Sequence, residues 1–76
     1  MINMRLRQVA KMMRISEYDL FRRAYIDYNE GRINDIVVAR VFMQYARNGI
    51  VPEWVSTYAR NVVQKFKVYE PLRSVA

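Results

Sequence analysis

Arginine and lysine are the reactive groups that this chain supplies in quantity, thirteen of them against seven acids, for a net charge of +6. Cations of this kind bind polyanions; they do not by themselves make or break bonds. Their placement is uneven. Residues 1–23 hold Arg5, Arg7, Lys11, Arg14, Arg22 and Arg23 against Glu17 and Asp19 only. Residues 24–57 set Arg32, Arg40 and Arg47 against four acids, and residues 58–76 set four bases against Glu70. Both ends are therefore basic and the middle is not.

Bond-making chemistry has little to work with. The chain has no histidine and no cysteine, so the usual proton shuttle and the thiolate nucleophile are both missing. Ser16, Ser56 and Ser74 have no imidazole to activate them. The acids are scattered, and the pairs Glu17/Asp19 and Asp27/Glu30 read as helix-terminal and surface carboxylates, not as a clustered oxygen-ligand site. Two glycines, both at expected helix ends, make no phosphate-cradling loop. The expectation is a protein that is not an enzyme and takes no metal and no cofactor.

One stretch has functional content. From Leu6 to Arg23 the chain reads LRQVAKMMRISEYDLFRR, and it resembles a helix-turn-helix DNA-binding unit. Val9 and Ala10 stand where the first helix of that unit packs a small residue on the second. Met13, Ile15 and Leu20 fall on its core positions, Ser16 on the cap of its recognition helix, and Arg22 follows Leu20 as in many members. Arg14 occupies the turn position usually given to glycine, and would carry left-handed backbone there. The resemblance implies that Ser16, Glu17, Tyr18, Phe21 and Arg22 face the major groove. It also implies that Arg5, Arg7, Lys11, Arg14 and Arg23 hold phosphates. Glu17 and Asp19 would repel phosphates, although an acid can accept from a cytosine amino group.

An alternative reading of the start remains. Ile2, Met4 and Leu6 alternate with Asn3, Arg5 and Arg7, a period of two that suits a strand. With Ile15 to Ala24 as a following helix, this is similar to ribbon-helix-helix repressors, but Gln8 to Arg14 is short for their first helix.

The elements that must position these residues are four helices, at about 4–14, 17–30, 34–48 and 52–69, in an all-α bundle. In the first, Ile2, Leu6, Val9, Ala10 and Met13 share a face. Ser16 caps the second, with Asp19 completing a weak capping box, and Gly31 suits its end. The third, started by Asn34 or Asp35 and stopped by Gly49, is the most apolar: from Ile36 to Arg47 only Arg40, Gln44 and Arg47 are polar. That pattern places it at the centre of the bundle. In the fourth, Pro52 opens the helix and Val55, Ala59, Val62, Phe66 and Tyr69 step by four and three. Pro71 ends it, leaving Leu72 to Ala76 as a frayed tail.

Seventy-six residues make a single domain, residues 1–76, whose core is small for its surface. Without disulfides, association is the remaining source of added stability, so an apolar content of 53% points to an interface and a homodimer. Arg5, Arg7, Lys11 and Arg14 interrupt any leader-like start, and no apolar run approaches the roughly 20 residues of a membrane span. A cytoplasmic protein without a membrane role is expected. The six tyrosines read as core-edge residues, ring inside and hydroxyl at water, and Trp54 as an anchor of the bundle. Two functions remain in play: a small helix-turn-helix-like DNA-binding regulator, or an accessory module that binds another protein and no nucleic acid.

Overall fold

The computed structural model describes the backbone of residues 5–75 and the side chains of residues 5–66. Four helices follow one another, α1 (Leu6–Met13), α2 (Glu17–Tyr28), α3 (Asp35–Asn48) and α4 (Glu53–Val75), with no strand among the described residues. Leu6 and Arg7 are helical, which removes the strand alternative for the part of the start that is described. Residues 1–4 lie outside it.

Local chemistry sets the boundaries. The Ser16 hydroxyl accepts from the Asp19 amide at 3.0 Å, satisfying one of the orphan donors of α2. Asn34 Oδ1 does the same for α3, accepting from the Ile36 and Val37 amides at 3.1 and 3.3 Å. At its other end Gly49 turns left-handed, φ 70°, and donates to the Tyr45 carbonyl. The Pro52 carbonyl accepts from both Val55 and Ser56 at 3.1 Å to open α4. That helix was expected to end near Tyr69 because of Pro71, and it runs on to Val75. A proline removes one amide donor, so the helix passes it with one backbone bond fewer. The side chains of the expected tail lie outside the described residues.

The core consists of Leu6, Val9 and Ala10 from α1, Leu20, Phe21 and Ala24 from α2, Val38 from α3, and Val55 and Ala59 from α4. Every helix contributes, but among the described residues α2 packs against each of the other three, whereas α3 packs on α2 alone. The largest set of interhelical contacts thus belongs to α2, not to the third helix, although α3 is the most apolar in sequence. The reason is visible in its side chains. Val38 is its one wholly buried residue, and its outer side leaves Ile36 73% and Met43 51% exposed.

Candidate nucleic-acid interface

The connection between α1 and α2 is tight: α1 stops at Met13, Arg14 and Ile15 turn, and Ser16 caps α2. Arg14 has φ 60° and ψ 43°, the left-handed conformation that the resemblance asks of this position. Its amide donates back to the Lys11 carbonyl at 3.0 Å, and the Ile15 amide to the Ala10 carbonyl at 3.0 Å, so the end of α1 is satisfied by backbone.

With Leu6, Val9 and Ala10 held in the core and Met13 packed against it, the remaining residues of α1 face water. Arg5, Arg7, Lys11 and Arg14 are all exposed. Arg7, Lys11 and Arg14 are spaced by four and three, one stripe along the helix and its turn. Among the described residues none of the four has a carboxylate within 4.0 Å; the ion pairs there involve other arginines.

Those others are committed. Arg22 Nε bonds Asp35 Oδ1 at 3.0 Å, joining α2 to the start of α3. The hydrogen bond and then the charge of Asp35 raise the Arg22 pKa above its ordinary value. Arg23 Nε reaches Asp19 Oδ2 at 3.4 Å, one turn back on α2. Of the residues expected to face a groove, Phe21 is fully buried, edge-on to Phe42 at 5.2 Å, which removes it from any interface. Tyr18 is half-buried and also meets Phe42 edge-on, at 5.3 Å. The Ser16 hydroxyl serves the cap.

Glu17 is drawn into the fold rather than left at the surface: its Oε2 accepts from the Tyr45 hydroxyl at 2.6 Å, tying α2 to α3. Burial first, then this bond and the charge of Glu17, push the Tyr45 pKa up to about 12. Beside this pair a groove of about 700 Å³ runs between the start of α1 and the end of α3, with Arg5 and Arg7 on its rim and Phe42 and Val51 in its wall. Sequence reasoning had placed Arg5, Arg7 and Glu17 on a DNA-facing surface, and the fold does bring them to one groove. It disperses Phe21, Arg22 and Arg23 into the core and into ion pairs.

Sequence reasoning missed the pairing of Tyr28 with Trp54, which stack at 5.8 Å with planes 19° apart. The signal available was two acid–aromatic dipeptides, Asp27-Tyr28 and Glu53-Trp54, but no spacing links them before the chain folds. Among the described residues no three potential ligands cluster for a metal, and no helix is long and apolar enough to cross a membrane. The chain matches no family model, no curated protein and no solved structure.

Proposed function

We propose that this chain is a small, non-enzymatic nucleic-acid-binding protein that lays α1 and the Arg14 turn along a phosphate backbone. The observation that carries the reading is the stripe of Arg7, Lys11 and Arg14 with Arg5 at its start, all four exposed and without carboxylate partners among the described residues. A guanidinium or ammonium that has no internal partner keeps its full capacity for a phosphate. The short capped turn supports the same reading, since it holds α1 and α2 as one unit. Because Phe21 is in the core and Arg22 and Arg23 are bonded within the fold, α2 has few side chains left for base edges. Binding is accordingly governed by the backbone and only weakly by sequence.

Fluorescence anisotropy against a random duplex tests this. Four neutralised phosphates give a log–log salt slope of about −3.6, so that affinity falls on the order of 150-fold between about 50 and 200 mM salt. A chain carrying Arg5→Ala, Arg7→Ala, Lys11→Ala and Arg14→Ala together should lose both the affinity and the slope. Absence of binding by the native chain at ~50 mM salt, where such contacts are strongest, ends the proposal.

A second reading, association through protein contacts, is favoured by the outer face of α3. Ile36 and Met43 stand exposed there two turns apart, followed by Ile50 at 53% exposure. A second copy covering that face makes the expected homodimer. Sedimentation velocity of the native chain beside Ile36→Lys and Met43→Lys separates a dimer held by this face from a monomer.

A further inference from the structure

On the side of the bundle where the start of α4 crosses the end of α2, Asp27, Tyr28, Glu53, Trp54, Thr57 and Tyr58 enclose a notch of about 340 Å³. Its composition is the reverse of the α1 ridge. A chain with a net charge of +6 places here two carboxylates and three aromatic rings, and no cation among the lining residues. Tyr28 and Trp54 are stacked, and Tyr25 meets Trp54 edge-on from within at 5.6 Å, so the indole is fixed by rings on two sides. Tyr28 itself is 64% exposed, so its ring is open to a ligand.

We propose that this notch takes the guanidinium of an arginine side chain presented by a partner protein. The proposal does not depend on nucleic-acid binding. Three features select that group. The negative faces of the Tyr28 and Trp54 rings attract a cation, and arginine is the side chain that most often meets them. Asp27 and Glu53 are both exposed and have no cation within 4.0 Å among the described residues. Arg23, one turn before Asp27 on α2, is turned to Asp19 instead. Carboxylates beside the rings favour a donor of several N–H groups over a quaternary ammonium, which has none to give. A planar fork can also stack on a ring while it donates to a carboxylate, which the point charge of a lysine does less well. The space is at the lower end of ligand pockets, of a size for one side chain and not for a folded element.

Trp54 is the only tryptophan in the chain, so its fluorescence reports the notch directly. The test is titration of the full chain with N-acetyl-arginine amide at constant ionic strength, with N-acetyl-lysine amide and tetramethylammonium chloride as the other arms. A saturable change with the arginine probe is expected, about tenfold weaker with lysine and weaker again with tetramethylammonium. Asp27→Asn and Glu53→Gln should each weaken the arginine response severalfold, and together abolish it. Both side chains are exposed, and circular dichroism checks that each variant keeps its helices. A response that never saturates, an equal response to tetramethylammonium, or an unchanged response in the double variant overturns the proposal.

Discussion

Replacing Phe21 with alanine is the sharpest test of how the fold divides core from surface. The ring is wholly buried. It meets Phe42 edge-on at 5.2 Å with planes 87° apart, and lies tilted on Tyr45 at 5.2 Å. Truncating a buried phenylalanine costs about 3–5 kcal/mol, of which each aromatic pair contributes about 0.5–1.5 kcal/mol beyond its area. A domain of this length has a total stability of about 4–11 kcal/mol, at roughly 0.05–0.15 kcal/mol per residue. Phe21→Ala therefore removes a large share of the stability, and at the lower end of that range leaves no folded chain at all. Phe66, 38% exposed on α4, supplies the control: the same truncation there should cost distinctly less. The assay is urea unfolding followed by circular dichroism at 222 nm, with both variants beside the native chain. Equal midpoints for the two variants, or a loss below about 1 kcal/mol at Phe21, would refute the burial argument. The ring would then be available to a ligand after all.

Two further outcomes follow from the backbone and the half-buried Tyr45 hydroxyl. Arg14→Gly should leave stability unchanged or raise it by up to about 1.6 kcal/mol, since glycine relieves about 1–2 kcal/mol of left-handed strain but gives back about 0.4–1 kcal/mol of unfolded-state entropy. The same variant should flatten the salt slope of DNA binding by about 0.9; a clear loss of stability would show that the arginine side chain supports the turn. The Tyr45 hydroxyl, raised from 10.0 to about 12, favours the folded state fully below pH 10, and that contribution is lost as the pH rises from 10 towards 12. Subtracting the absorbance titration of Tyr45→Phe from that of the native chain isolates this group. A difference curve centred at 10 would mean that neither the burial of this hydroxyl nor its contact with Glu17 persists in solution.

Much of the architecture is written in short stretches of chain. Ser16, Asn34 and Gly49 each act on backbone groups within four residues, and so does the left-handed turn at Arg14. Such signals need no neighbour from another helix, which is why the number and order of the helices can be read directly. The end of α4 is a partial exception, because a proline removes one bond without forbidding the helix.

Which residues meet is another matter. An all-round apolar helix such as α3 implies neighbours on several sides, yet among the described residues only α2 packs on it, and Ile36 and Met43 remain at the surface. Periodicity states how apolar a face is, not whether a second element covers it. The bonds that assign Glu17 to Tyr45 and Arg22 to Asp35 join residues 28 and 13 positions apart. The stack of Tyr28 on Trp54 likewise exists only once α2 and α4 have met. Composition and local pattern thus determined the helices, their caps and the basic stripe of α1. Tertiary packing alone decided which charges are left free on that stripe, which are held in ion pairs at the surface, and where two acids and three rings come together, because those choices depend on distances between helices that no local spacing encodes.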